Sequence, residues 1–301
     1  MFPIVQVDPT SNLGDEQLGS KRKFWYDDDH GKRWLFKYAR EITPGGELTG
    51  EDWAEKLGAE IAVVLEIPAA AVELAECRGG KGSSSRRFLG AENESLVHGN
   101  EVLAGVLVGY DRNKKLHQQD HTLGNIVLAV HRLLDPLEPL CTSILARLAE
   151  YLVLDALIGN TDRHHENWGV ILTIDDVAAA APPIKAAPSF DHASSLGREL
   201  PDAKRRQILE QRGMESYLRK GHGGIFIQNS DKRGANPMEL VKYAVREYPE
   251  FFRPALAKVA GVQIEKLCAL VDAVPSARMT DVSRQFAQEF LRCSHQMLTQ
   301  L

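Results

Sequence analysis

Apolar residues recur along this chain at two different periods. Between residues 23 and 38 they form two short aromatic-rich runs, Lys23-Phe24-Trp25-Tyr26 and Trp34-Leu35-Phe36-Lys37-Tyr38. Asp27-Asp28-Asp29-His30-Gly31 separates them and carries turn chemistry, so the pattern predicts a hairpin. From Glu51 to Leu65 the period changes: Trp53, Leu57, Ile61 and Val64 recur at helical spacing, and Pro68 closes the segment. Val72 to Ala75 reads as a strand. Arg78 to Ser85, rich in Gly and Ser, reads as a turn. Ser95 to His98 and Val102 to Tyr110 read as further strands. Beyond residue 111 helical periodicity dominates. Helices are expected at 123–134, 141–158, 202–220, 238–247, 250–259, 264–274 and 280–298. Two strand-like runs, 169–174 and 187–190, flank an Ala/Pro-rich loop at 176–188, and no internal repeat is visible. The expected architecture is α+β: a β-rich N-lobe at 1–110 and a helical C-lobe at 111–301, joined near residues 100–112.

Bulk composition narrows the classes. At 301 residues the chain is long enough for two lobes with sizeable cores. A formal charge of −5 argues against a general nucleic-acid footprint, which would be basic. The basic clusters at Arg78–Arg87 and Lys204-Arg205-Arg206 are expected to be a solvated turn and a solvated helix face. Cys77, Cys141, Cys268 and Cys293 form no Cys-x-x-Cys pair, which points to reduced thiols and a cytoplasmic protein. The N-terminus lacks a basic region followed by an apolar stretch. The most apolar window, Ile61 to Ala75, is broken by Glu66, Pro68 and Glu73, so no membrane span is expected.

The chemistry concentrates in Gly159-Asn160-Thr161-Asp162-Arg163-His164-His165-Glu166-Asn167-Trp168, directly after a long apolar helix. Asp162 and Asn167 are spaced Asp-x-x-x-x-Asn, and Asp191 follows in Ser189-Phe190-Asp191-His192. Phosphoryl transfer from ATP uses one carboxylate at the acceptor hydroxyl, then an amide oxygen and a second carboxylate on Mg²⁺. The bland alternative is a polar loop whose Asp and Asn make turn hydrogen bonds. Lys37 shares a strand face with Leu35, opposite Trp34, Phe36 and Tyr38. There it would neutralise phosphate charge; otherwise it is a Lys on the wet face of an edge strand. Glu51, Glu55 and Glu60 are candidates to orient Lys37. Glu55 is preferred because Gly58, Ala59 and Ala62 on its side of the helix admit a close neighbour. Leu18-Gly19-Ser20-Lys21-Arg22-Lys23 precedes the hairpin, where Gly19, Ser20, Lys21 and Lys23 would cover phosphate; alternatively it is a basic surface turn.

With these residues in place, the chain resembles the HipA-like serine/threonine kinases, the kinase module of bacterial toxin–antitoxin systems. That group is distantly related to phosphatidylinositol 3- and 4-kinases. The resemblance rests on Gly159-Asn160-Thr161-Asp162 with His164 and Asn167, on Phe190-Asp191, and on Ser194-Ser195. Leu116-His117-Gln118-Gln119-Asp120, Trp53-Ala54-Glu55 and Ile67-Pro68 add to it, so that it covers about residues 15 to 260. It implies a bilobal protein-kinase-like fold with nucleotide bound in the cleft between the lobes. It implies Asp162 as catalytic base, Asn167 and Asp191 as Mg²⁺ ligands, and Lys37 on phosphate. ATP and Mg²⁺ are the implied cofactors, a protein with a Ser/Thr acceptor the implied substrate, and an antitoxin protein a candidate partner, with no direct nucleic-acid or membrane contact. Two departures stand out. The hairpin begins by residue 23, as expected of a short form without the family's N-terminal subdomain. Ser20 lies near the family's autophosphorylated loop serine but not at its position. Both Leu96–Glu101 and Val108–Arg112 fit the hinge. Competing readings are a nucleotide-binding pseudokinase that acts as an interaction module, a lipid kinase, and a hydrolase with a transition metal on His164, His165, His192, Asp162 and Asp191. His164 is otherwise expected to brace its loop.

Overall fold

The computed structural model describes residues 1–15, 22–42, 46–114, 117–135, 137–173 and 184–301. In chain order, β1 (Ile4–Gln6), a 3₁₀ turn at Pro9–Ser11 and β2 (Asn12–Asp15) precede the hairpin of β3 (Lys23–Asp27) and β4 (Arg33–Tyr38). Then come α1 (Glu51–Val64), β5 (Val72–Cys77), β6 (Gly80–Arg86), β7 (Glu94–His98), α2 (Gly99–Val106), α3 (Leu123–Leu133) and α4 (Glu138–Ile158). β8 (Gly169–Thr173), β9 (Ile184–Ala186), α5 (Asp202–Glu210), α6 (Met214–Leu218), α7 (Pro237–Glu247), α8 (Pro249–Ala260), α9 (Ile264–Asp272) and α10 (Asp281–Thr299) complete the chain. The fold is a mixed α+β one, with a β-sheet part and a helical part.

The chain divides into two compact units. The first comprises Met1–Phe88, Asp191–Leu218 and Val262–Ser294; the second comprises Leu89–Phe190, Arg219–Gly261 and His295–Leu301.

In the first unit, the described strands form a six-stranded sheet in the order β1-β5-β6-β4-β3-β2. Pairing is antiparallel except for β1 with β5. The alternation read in β4 is realised. Phe36 is fully buried in a cluster with Phe24, Tyr26, Ala75, Cys77 and Val7, with Trp34 and Tyr38 packed against it. Phe36 and Tyr38 meet edge to face at 4.7 Å, a favourable aromatic geometry. The opposite face supports α1, whose Trp53, Leu57 and Ile61 are buried. Arg278 ties this unit together: it donates to Asp52 of α1 at 2.9 Å and to the Ala75 carbonyl of β5 at 2.9 Å.

In the second unit α4 is the central element. From Leu148 to Ile158 every residue is buried, including Glu150 and Asp155, which are paired with basic side chains. It packs against α3, α7, α8 and β9. The small sheet runs β7-β8-β9.

Five expectations are corrected. Arg78–Ser85 is not a turn: the reversal is confined to Arg78 and Gly79, both at positive φ, and β6 then runs between β5 and β4. Its small residues answer to crowding rather than to chain reversal. A Cβ on Gly82 would lie 2.2 Å from the Lys37 carbonyl oxygen. Residues 102–110 are not a strand. α2 occupies most of that run, with the Glu101 carboxylate accepting the His98 N–H at 3.0 Å as a helix-start bond. A short apolar run fits either period. The helix expected at 202–220 is two, α5 and α6, broken where Arg212 takes φ +50° beside Gly213. Arg205 is buried against Asp202 (2.9 Å), so only Lys204 and Arg206 of that basic cluster are solvated. β1 and β2 were not anticipated, and β9 falls before the run 187–190.

Candidate active site

In the first unit β4 carries Lys37 away from the aromatic cluster. Its Nζ donates to Asp191 Oδ1 at 3.1 Å, with the two side chains 14 % and 29 % exposed. Asp191 sits at φ +59°, a left-handed conformation uncommon outside glycine that Asp tolerates better than most residues. Burial by itself would lower the Lys37 pKa. Asp191, then Glu55 and Glu51, outweigh that and hold the ammonium well above its usual range. Lys37 is therefore a fixed, partly enclosed cation.

The three candidate glutamates on α1 have different surroundings. Glu60 pairs with Lys56 at 2.7 Å. Glu51 is bracketed by arginines: Oε1 accepts from Arg40 at 2.8 Å and lies 3.1 Å from Arg198 Nη1, while Oε2 accepts the Arg40 backbone N–H at 3.2 Å. Glu55 is 1 % exposed and its charge acts on Lys37. The Arg198 brace was not read from the sequence. Its signal was an Arg soon after the Ser194-Ser195 motif, and nothing in the spacing names its partner. Lys23 is the direct cross-strand partner of Lys37, hence on the same sheet face. Gly19, Ser20 and Lys21 lie outside the described residues.

In the second unit the loop after α4 begins at Gly159, whose φ of +67° ends the helix in the left-handed conformation. The loop is built on one buried pair. Asp155, in the last turn of α4, accepts from Arg163 through both oxygens at 2.7 Å and from the Asn160 side chain at 2.8 Å. Arg163 reaches onward to the Asn167 carbonyl at 2.6 Å, the Ser189 hydroxyl at 3.0 Å and the Phe190 carbonyl at 3.3 Å. Such bidentate, charge-assisted bonds fix geometry as well as energy. Neither Asp155 nor Arg163 was anticipated, although an acidic residue inside an otherwise apolar helix end was a visible signal for a buried partner.

Above this pair, Asn167 donates its side-chain N–H to the Asp162 carbonyl at 2.7 Å. The Asp-x-x-x-x-Asn spacing thus closes a compact turn. Asp162 itself is exposed and Asn167 is buried. One amide hydrogen of Asn167 is committed inside the loop, and its oxygen remains the atom suited to a hard cation.

The histidines act as braces. His98 bonds the Glu166 carbonyl at 2.8 Å, and His165 meets the Tyr110 hydroxyl at 2.7 Å. His164 accepts the Glu166 N–H at 3.2 Å, in keeping with a bracing role. Trp168 donates its indole N–H to His121 Nε2 at 3.0 Å. Indole is only a donor, so His121 carries its proton on Nδ1 and donates to the Gly224 carbonyl at 2.8 Å. Burial pushes the His121 pKa down to about 3, so the ring is neutral.

No protein-family model matches the chain, and no curated protein matches it in sequence. Solved structures match its fold over nearly all its length, among them the following two. The Helicobacter pylori proinflammatory kinase CtkA aligns with a TM-score of 0.75 at 17 % identity, covering 99 % of this chain and 98 % of that one. The HipA toxin of Shewanella oneidensis MR-1, solved with HipB and operator DNA, aligns with a TM-score of 0.57 at 10 % identity, covering 98 % of this chain and 68 % of that one. The chain therefore has the fold of HipA-like kinases.

Proposed function

We propose that this chain is an ATP- and Mg²⁺-dependent protein serine/threonine kinase of HipA-like type. The observation that carries the reading is the Lys37–Asp191 pair. A cation on β4 and a carboxylate 154 residues later meet at 3.1 Å in a kinase-like fold. Phosphoryl transfer requires both groups, one for phosphate oxygens and one for the metal. When bound, Mg²⁺-ATP supplies the transferable phosphoryl group and the divalent charge.

The chain's own residues then divide the work. Lys37 balances phosphate charge, and Glu55 holds Lys37 in place. Asp191, through a carboxylate oxygen, and Asn167, through its amide oxygen, are the candidate Mg²⁺ ligands. Asp162 would orient the acceptor hydroxyl and take its proton, helped by its exposure to an incoming protein. The segment at Gly19, Ser20 and Lys21, with Lys23, would cover the nucleotide. The acceptor is a Ser or Thr of another protein. An antitoxin-like protein partner belongs to the same proposal, prompted by the HipB complex of the HipA match. The four cysteines are all free, which fits a reducing cytoplasm. No helix among the described residues is long and apolar enough to cross a membrane.

The test is incubation with Mg²⁺-ATP and a mixed protein acceptor, read by intact mass and phosphoamino-acid analysis. Phosphoserine or phosphothreonine, lost in Asp162→Ala, supports the reading. Mg²⁺-ATP binding without transfer makes the chain a pseudokinase. Phosphate on an inositol lipid alone makes it a lipid kinase. Absence of both Mg²⁺-ATP binding and transfer overturns the nucleotide assignment altogether.

A further inference from the structure

A second cluster of metal-binding chemistry lies in the second unit, at the α3–α4 corner. His131 is in the last turn of α3; Glu138 and Cys141 are one turn apart at the start of α4. Cys141 Sγ is 3.1 Å from His131 Nδ1, and Glu138 Oε2 is 3.9 Å from the same nitrogen. The ligand atoms of all three lie within 4.8 Å of one another. Among the described residues, this is the one group of three or more His, Cys, Asp or Glu side chains so gathered.

We infer that His131, Glu138 and Cys141 form a binding site for a zinc-class divalent cation. The donor set is one imidazole nitrogen, one carboxylate oxygen and one sulfur. Nitrogen and sulfur together select zinc over magnesium or calcium, and the carboxylate argues against a purely soft ion such as copper(I). Zinc sits at about 2.3 Å from sulfur and about 2.1 Å from nitrogen or oxygen, so tetrahedral geometry sets ligand atoms about 3.4–3.6 Å apart. The two separations given above bracket that range and the third is within 4.8 Å, in reach of rotation of the exposed Glu138 side chain.

The mixture of exposures is informative. Cys141 is 1 % exposed, whereas the side chains of His131 and Glu138 are 43 % and 73 % exposed. The sulfur is anchored at the floor and the other two ligands flank an open approach. Spacing supports the same arrangement, since Glu138 and Cys141 are three residues apart and face one side of α4. Three protein ligands leave a fourth position for water. The site would staple the end of α3 to the start of α4, remote in sequence from the Asp162 loop, and does not rest on the kinase reading.

The experiment is titration of the reduced, metal-stripped full chain with Co²⁺ and Zn²⁺. Absorbance reads the tetrahedral cobalt and thiolate-to-cobalt bands, and competition with a chromophoric chelator reads zinc affinity. One equivalent with a thiolate band is expected. Loss of an outer-sphere partner alone costs about 10–100-fold in metal affinity, so losing a direct ligand should cost roughly 100-fold or more. Cys141→Ser should abolish the thiolate band. His131→Gln changes an exposed side chain, so it tests the site even if the buried Cys141 variant folds poorly. No thiolate band, or zinc affinity unchanged in His131→Gln, overturns the inference. Zinc retained in both variants would place the metal elsewhere and reopen the hydrolase reading.

Discussion

Asp162 is the residue whose removal separates chemistry from architecture. It is exposed, and its backbone carbonyl accepts the Asn167 side-chain N–H. Asp162→Ala should therefore fold normally and bind Mg²⁺-ATP as the native chain does, while transfer falls by roughly 10²–10⁴, the usual share of a positioned base. Single-turnover kinetics with calorimetric ATP binding checks this; near-native transfer would reject Asp162 as the base. His121 makes a pH prediction. Its folded pKa, near 3, lies below the ordinary 6.5. Between those values the unfolded chain binds the proton and the folded one does not. Stability from this group is thus complete above about pH 6.5 and falls on acidification, by at most about 1.4 kcal/mol per pH unit. His121→Gln can keep both hydrogen bonds without titrating. Urea unfolding at pH 7 and pH 5 should show a smaller acid loss for this variant, and equal losses would place the sensitivity elsewhere.

The strand β6 shows how composition can misname an element. Glycine and serine usually mark loops, yet here they thin a strand between crowded neighbours. Gly82→Ala should force β4 and β6 apart and cost about 1–3 kcal/mol or more, the range for overpacking. Gly105→Ala in α2 is the control. Nothing lies within 4 Å of its added Cβ, so the change should be neutral or stabilise by up to about 1 kcal/mol. Denaturant midpoints of both variants decide this, and a harmless Gly82→Ala would refute the close approach. β4 and α1 also make a joint prediction. Lys37→Ala should weaken ATP binding and transfer, and Glu55→Ala should do so more mildly. The double variant should be little worse than Lys37→Ala, because Glu55 acts through Lys37. Strict additivity in kcat/KM would separate the two residues and turn attention to Glu51, already held between Arg40 and Arg198.

For the molecule as a whole, nucleotide binding should appear as stability. A ligand at 100 times its Kd stabilises the folded chain by about 2.7 kcal/mol. Mg²⁺-ATP should raise the thermal midpoint, and ATP with excess chelator should raise it less. Asp191→Ala and Asn167→Ala should each remove most of the Mg²⁺-dependent part. A full shift in Asp191→Ala would show that Asp191 does not hold the metal. The two units draw on alternating stretches of chain, with one boundary between Phe190 and Asp191. The metal-ligand candidate Asp191 is therefore the first residue of its stretch, where a left-handed backbone presents its carboxylate to Lys37.

Much of this was legible locally. The alternation of Trp34 to Tyr38 placed Lys37 on the face away from the rings, because side chains on a strand must alternate. The long apolar run before Gly159 announced a helix, because its apolar residues recur at helical spacing. The order Asp162, Asn167, Asp191 pointed to one class of chemistry, because those donors suit a hydroxyl proton and a hard cation. Long-range proximity was not legible. No spacing tells Lys37 that Asp191 lies beside it, Arg163 that Asp155 waits one helix end away, or Glu51 that Arg198 returns to it. Nor does a Gly/Ser run announce that aromatic rings and a helix crowd both its faces. Those facts depend on where the chain comes back to itself, and the burial that results determines which charges pair and which small residues a strand must contain.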